Sequence, residues 1–550
     1  MNLAAATAAP RRAGALTGTG LLLRFMLRRD RWRLPGWVLG LTLLMLYFSV
    51  ALGTVLDEES LAGMAQLASS PVTALVGGPG YGFDAITVPR FLAGLYGTYL
   101  MLGTALMSML TISRHTRVEE QSGRAELVSV GIVGRHAQPT AALILTVAMN
   151  VLVAALMTGV VLTGPIDPAP AAAPTVLFTT GIAAVGISFA GVATATAQLS
   201  PYSRTCTSLA GIVLAVAFII RGLGDMSRVQ GGDLGWLSWL SPIGWAQQTA
   251  PYTLDRWWPL LLSLTFAAAT AALGFRLRSR RDLGAGVITD RPGDGRAPAW
   301  LGTPLALAWR LQRGTLAGWS VSVLIAGMVL GAFTQSIGDS AADMPPEILS
   351  VMGGATAITE GYLGFMAVYF AIILSVYGIL AVASLRGEEV AHRTEPVLST
   401  AVGRVRWVFS WLGVAGAGAV WLSVIAGVSE GLGAVLVTGE WSLFGPVVLG
   451  HGVQFAPVWF IIGAATALYG LAPRLTGLVW LVLIVGSVLS MFGRMLELDQ
   501  GWLNLSPFEH AGQHPATDVG WTAVVLLAGA GVALTALGAL AFRRRDLTAV

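Results

Sequence analysis

The chain has 550 residues, 55% of them hydrophobic and only 11% charged, with a formal net charge of +4. Soluble domains carry about a quarter charged residues, so little chain is left for a soluble domain, and no nucleic-acid partner is expected. Apolar runs of about 20 residues recur from end to end, each long enough to cross about 30 Å of hydrocarbon as a helix.

The 33 basic residues are all Arg. Without Lys the chain cannot form the Gly-rich, Lys-ended loop that cradles phosphates in P-loop ATPases. If ATP drives this protein, another polypeptide binds it. The single cysteine, Cys206, excludes an intrachain disulfide.

In chain order, residues 1–17 read as a cytoplasmic tail without a clear cleavable signal. From Leu21, Arg24, Arg28 and Arg31 share one helical face beside Leu23, Phe25, Met26 and Leu27, which predicts an amphipathic helix in the membrane interface, ended by Pro35-Gly36. Spans follow at about 36–57, 91–113, 138–163, 174–198, 206–224 and 258–275. An aromatic outside segment, WLSWLSPIGW, precedes the sixth span, and the basic string FRLRSRRDL ends it. Asp290–Ala299 is a Pro/Gly/Asp/Arg linker.

The second half repeats the plan, with spans at about 318–338, 362–385, 407–432, 449–472, 475–497 and 520–542. RLQRGTLAGW from Arg310 repeats the first amphipathic stretch at a shift of 282 residues. Leu240-Ser241-Pro242 returns as Leu505-Ser506-Pro507, the RRDL string from Arg280 returns at Arg544, and Arg221 returns as Arg494. With both termini inside, 28 Arg fall on the inner side and five outside, as the positive-inside rule demands. The predicted organisation is a tail (1–17), a first six-span unit (18–286), a cytoplasmic linker (287–303) and a second six-span unit (304–550). The fold class is an all-α polytopic membrane protein: twelve transmembrane helices as two parallel six-helix repeats, each led by an amphipathic helix.

The strongest repeat is polar. Arg117–Arg135, RVEEQSGRAELVSVGIVGR, shifted by 269 residues, lands on RGEEVAHRTEPVLSTAVGR, with nine of 19 positions identical. Chance gives about one or two. Glu120 precedes Arg124, and Glu389 precedes Arg393, by four residues, so each pair is expected on one helical face. Gly134-Arg135 and Gly403-Arg404 read as helix stops before the next span.

This pattern, "EE…R.E…GR" between the second and third spans, resembles the cytoplasmic coupling helix of ATP-binding-cassette exporters of the second permease class. The amphipathic lead-in, the outer Ser-Pro segment and the terminal RRDL string are also similar. Two fused units, Arg-rich and Lys-free, look most like actinobacterial permeases for polyketide antibiotics, the tetronasin-resistance type, and their mycobacterial multidrug relatives.

The resemblance implies a plasma-membrane export permease with both termini cytoplasmic, without a cofactor of its own. Two copies of a separate ABC ATPase, holding ATP and Mg, would dock beneath Glu119, Glu120, Arg124 and Glu126, and beneath Glu388, Glu389, Arg393 and Glu395. Reversing Glu119 and Glu120 together to Arg is expected to abolish coupling without stopping membrane insertion. The second unit departs from the pattern at His392 and Pro396, which leaves the length of its coupling helix open.

In the resembled class the second and fifth spans line the pathway for a hydrophobic small molecule. Here Tyr96 and Tyr99, and Tyr362, Phe365 and Tyr369 at helical spacing, would supply aromatic walls with a few hydroxyls. Arg221 and Arg494 would form an outer gate or pair with acids such as Asp225 and Asp499. His510 and His514 are four apart, but the first half has no matching set, so no metal is expected. The alternative function is an ion-coupled twelve-helix secondary transporter. Span middles almost free of ionisable residues count against it.

Overall fold

The structure, a computed structural model, describes residues 14–55, 70–131, 133–167, 169–288, 295–339, 358–493 and 498–546. Among these residues every regular element is helical, and twelve helices are long and apolar enough to cross a membrane. Contacts divide the chain into two compact units, Met1–Pro292 and Gly293–Val550.

In the first unit α1 (Thr19–Arg29) buries Leu22 and Met26 and leaves Leu21, Phe25, Arg24 and Arg28 exposed, as an interfacial helix requires. The break after it falls at Asp30, not at Pro35. The Asp30 carboxylate is buried, taking two hydrogen bonds from Arg114 at 2.6 and 2.7 Å. It also lies 3.1 Å from His115 Nε2. Pro35 instead sits in the first turn of α2 (Arg33–Val55), where a missing N–H has no helical acceptor to lose.

The second span begins at Val88 with a π turn at Leu92–Tyr96 and continues as α3 (Gly97–His115). Two short helices, α4 (Arg117–Gln121) and α5 (Arg124–Ser129), follow it. The remaining spans are α6 (Ala137–Thr163), α7 (Ala172–Thr196), α8 (Ser203–Val229) and α9 (Pro259–Arg278).

The second unit starts differently. Its lead-in and first span are one helix, α10 (Pro304–Asp339). At the 282-residue shift Asp30 becomes Gln312 and Pro35 becomes Ala317. Gln312 donates to the Trp411 carbonyl at 3.3 Å. With neither a buried carboxylate to turn the chain nor a proline to interrupt it, the helix runs through. Then come α11 (Ile358–Val390), α12 (Thr394–Leu398), α13 (Arg404–Thr438), α14 (Phe444–Val453), α15 (Phe455–Leu471), α16 (Val479–Phe492) and α17 (Trp521–Arg544). The tenth span is thus two pieces, α14 and α15, joined at Gln454.

The same packing device recurs in each unit. A Cβ on Gly274 of α9 would lie 2.7 Å from the Thr194 carbonyl, and one on Gly538 of α17 would lie 2.3 Å from the Thr466 carbonyl. Glycine there lets the sixth span touch the backbone of the fourth, the close approach that holds helices together where both sides of a seam are apolar. Leu481, Ile484, Val525 and Leu526 are exposed on the outer spans, as lipid-facing side chains are.

Candidate functional site

In the first unit the two adjacent glutamates take different partners. Glu120 is buried. It accepts from Arg117 Nη1 at 2.7 Å and Arg278 Nη1 at 2.6 Å. Arg281 reaches it through Nη2 at 2.9 Å and Nη1 at 2.8 Å. Arg281 stands in the RRDL string after α9, so the string and the charged stretch, 161 residues apart, bind one another. Arg135 ties down the same tail, donating to the carbonyls of Arg278 and Arg281 at 2.9 and 3.0 Å.

Glu119 pairs with Arg124, at 2.9 and 3.2 Å, and with Arg29 at the end of α1. The expected Glu120–Arg124 pair is therefore not formed. Gly123, at φ 74°, ends α4 in a left-handed turn. That turn breaks the helical register on which the four-residue spacing rested and brings Arg124 to Glu119. The Glu119 hydrogen bonds hold the Arg124 guanidinium above its ordinary value.

The second unit has the same plan with a lighter clamp. Glu389 accepts from Arg545 Nη1 and Nη2 at 2.8 and 2.6 Å and from the Tyr469 hydroxyl at 2.7 Å. Arg545 occupies the RRDL position of Arg281. Its guanidinium lies 5.1 Å from the Tyr469 ring centre and 5.0 Å from that of Phe542. Phe542 stands where the first unit has Arg278, at the 264-residue shift that matches the RRDL strings.

Arg404 donates to the Arg545 carbonyl at 2.6 Å, repeating the role of Arg135. Glu388 pairs with Arg393 at 2.9 and 2.7 Å, and here too the four-residue pair, Glu389–Arg393, is replaced by a five-residue one. His392, at φ 56°, occupies the left-handed position of Gly123. Pro396 fits within the first turn of α12, so the element survives it at five residues against six for α5.

What remains outward is the tip. Arg124, Glu126, Leu127 and Val130 are exposed in the first unit, Leu127 at 77% and Val130 at 88%; Arg393, Glu395 and Pro396 are exposed in the second. These exposed apolar groups are not lining a span. They sit on a short helix flanked by charge, whose base is fixed by the Glu–Arg clamps.

The other candidate residues scatter. Tyr96 packs against Phe48, with ring centres 4.5 Å apart, and Phe91, and Tyr99 is exposed. Tyr362 is buried, its hydroxyl donating to the Leu330 carbonyl at 2.7 Å, while Phe365 and Tyr369 are half-buried. Arg221 is buried, 3.4 Å from Asp225 and 3.1 Å from the Val76 carbonyl. Asp225 in turn accepts from Ser238 at 2.6 Å. Arg221 and Asp225 thus pin the segment before the second span and the Asp233–Leu240 segment to α8. Arg494 lies outside the described residues.

Sequence reasoning missed the partnership of the glutamates with the RRDL strings. The signal was present: an acidic and a basic motif, each occurring once per half, in the same order.

The family model described as "Multidrug efflux system permease Rv1217c, C-terminal domain" matches residues 22–277 and again 301–543, once per unit. The multidrug efflux system permease protein Rv1217c of Mycobacterium tuberculosis is 38% identical to this chain over 546 residues, covering 98% of the chain and 97% of its own length. With one family model filling both units and a relative aligned along nearly the whole length, the chain belongs to the Rv1217c family of multidrug efflux system permeases.

Proposed function

We propose that this chain is the membrane subunit of an ATP-driven pump that exports hydrophobic or amphipathic compounds, with ATP hydrolysed by a separate subunit seated against the α4–α5 and α11–α12 elements on the cytoplasmic side. The observation that carries the reading is the division of labour at each element. One glutamate of each pair is locked to the tail of the sixth span, and the tip beyond it, with Leu127 and Val130, is left to solvent. A short rigid helix anchored at its base to two spans passes a push at its tip into both, and exposed apolar side chains rimmed by charge are the usual anchors of an interface.

Two ATPase copies, one per element, follow from the duplication. Tyr99, Phe365 and Tyr369 are the aromatic candidates left accessible to an apolar ligand. Arg221 would serve as an outer gate only if its carbonyl and Asp225 bonds were released.

The geometry changes the experiment. Glu120→Arg would add a fourth guanidinium to a buried group of three, so the double reversal of Glu119 and Glu120 tests folding. Leu127→Asp with Val130→Asp is the cleaner variant. The protein should insert and keep its thermal stability, but lose copurification with a coexpressed candidate ABC ATPase and lose dye efflux. Retained copurification and efflux would refute the docking reading.

A further inference from the structure

The second unit buries an acid in a membrane-spanning helix that the coupling site does not use. Glu430, about two turns before the end of α13, is 0% exposed, and His451 of α14 is 2% exposed. His451 Nε2 lies 3.1 Å from Glu430 Oε2, close but poorly aligned, and neither oxygen of Glu430 accepts another hydrogen bond. The shift of 272 residues that carries Gly191, Thr194, Leu199 and Pro201 onto Gly463, Thr466, Leu471 and Pro473 carries Thr179 onto His451, and Thr158 stands 21 residues before Thr179 as Glu430 does before His451. In the first unit those two hydroxyls are themselves bonded, at 2.7 Å. One inter-span contact is therefore a neutral hydroxyl pair in one unit and an acid–imidazole pair in the other.

Geometry locates the proton. His451 Nδ1 lies 3.0 Å from the Val447 carbonyl, which can only accept, so Nδ1 carries a hydrogen. Nε2 then faces Oε2 either with a bare lone pair or across a proton. Two lone pairs at that separation repel, and a proton taken up between them would relieve the repulsion.

The loaded pair is neutral overall, as a carboxylic acid beside imidazole or as a carboxylate beside imidazolium. Release of that proton to water leaves a carboxylate beside neutral imidazole, with net charge −1 and no donor to solvate it. Such a charge is strongly disfavoured in a dry, apolar seam.

On α10, α11, α15 and α17 the seam offers no substitute, and the loop packed on α14 brings His514, whose carbonyl would lie 2.4 Å from a Cβ on Gly450 and whose Nδ1 lies 3.3 Å from the Thr517 carbonyl. α10 meets Glu430 through glycines: a Cβ on Gly331 would lie 2.1 Å from the Glu430 carbonyl, and one on Gly327 2.0 Å from Ser429 Oγ. α10 has no charged residue between Arg313 and Asp339. On α11 the titratable groups at this end are Glu360 and Tyr362, and the Tyr362 hydroxyl is spent on Leu330. α15 brings only Tyr469, α17 only its terminal Arg543 and Arg544, and Glu440 lies beyond the end of α13.

We propose that Glu430 and His451 form a buried proton-binding site between α13 and α14, for which the first unit has no titratable equivalent, and that proton release there loosens the glycine-lined seam between α10 and α13. The test is infrared difference spectroscopy of the full chain in lipid nanodiscs between acid and alkaline pH, with amide hydrogen exchange, corrected for intrinsic rate, over Ser429–Gly433. Wild type should show carboxyl and imidazole bands that vanish in both Glu430→Gln and His451→Gln, and its exchange should rise with proton release while that of Glu430→Gln stays flat. Bands that persist in both variants, or an exchange profile unchanged by Glu430→Gln, would overturn the proposal. Should Glu430→Gln not insert, His451→Gln decides alone by the same bands. The measurement needs no ATPase, so it stands apart from the docking reading.

Discussion

Neutralising the two clamp glutamates should damage the units unequally. Around Glu120 the side chains of Arg117, Arg278 and Arg281 are 0%, 9% and 4% exposed. Glu120→Gln leaves three desolvated guanidiniums without the carboxylate they share, the case in which removing one partner of a buried ion pair costs about 3–5 kcal/mol. Around Glu389 there is one guanidinium, and the pair is 16% and 12% exposed. Glutamine there still accepts from Tyr469, and water reaches Arg545, so Glu389→Gln should cost about 1–2 kcal/mol.

A domain of this size loses about 2–4 °C in melting temperature per kcal/mol, which puts Glu120→Gln at about 6–20 °C below wild type and Glu389→Gln at about 2–8 °C below. The assay is the loss of the monodisperse size-exclusion peak of detergent-solubilised protein after heating. If Glu389→Gln falls as far as Glu120→Gln or further, burial and the number of arginines do not set the strength of these clamps.

Three further outcomes follow from the packing. Burial opposes ionisation of Asp30, but the hydrogen bonds of Arg114 and the charges of His115, Arg114 and Arg29 outweigh it and hold the carboxyl below its ordinary value of 3.8. A depressed acid contributes stability above its unfolded value and loses it as pH falls through the folded one, so this joint should weaken only below about pH 4. At neutral pH Asp30→Asn should cost about 1–3 kcal/mol, discounted because Arg114 is 29% exposed, and should speed tryptic cleavage at Arg31 and Arg33. Tyr469→Phe removes one hydrogen bond to a carboxylate and keeps the ring beneath Arg545, for a loss of about 1.5–3 kcal/mol in the same thermal assay. Gly538→Ala places a methyl 2.3 Å from a backbone carbonyl that cannot yield, and should destabilise by about 1–3 kcal/mol or more, whereas Gly529→Ala on the same helix, with open space around it, should be neutral or better.

The spans were legible because their length and apolar content leave no other structure open to the chain. The repeat was legible because charged residues are so few that nine coincidences stand out. What could not be read were contacts made by folding. The four-residue spacing of Glu120 and Arg124 favoured a local pair, and one left-handed glycine between them was enough to cancel it. Pro35 is a helix breaker by composition, yet the break lies at Asp30, whose partners are 84 and 85 residues away at Arg114 and His115. Glu430 was hidden for a different reason. The ninth span was expected to stop near residue 432, which left Glu430 at a polar edge, whereas α13 runs on to Thr438 and packing against α10 and α14 buries it.

The two units keep their glycines and exchange their charges. Gly274 and Gly538 occupy the same contact because the helices can approach in only one way there, and any side chain would push them apart. The buried charge is not tied in that manner. The first unit gathers Arg117, Glu120, Arg278 and Arg281 at the base of α4 and pairs Arg221 with Asp225 on α8. The second replaces Arg278 with Phe542 and sets its buried acid in the span, as Glu430 beside His451. A backbone that tolerates both arrangements constrains shape far more than polarity. The first unit therefore closes its charged element with three buried guanidiniums and the second with one, so equivalent substitutions in the two halves test different properties.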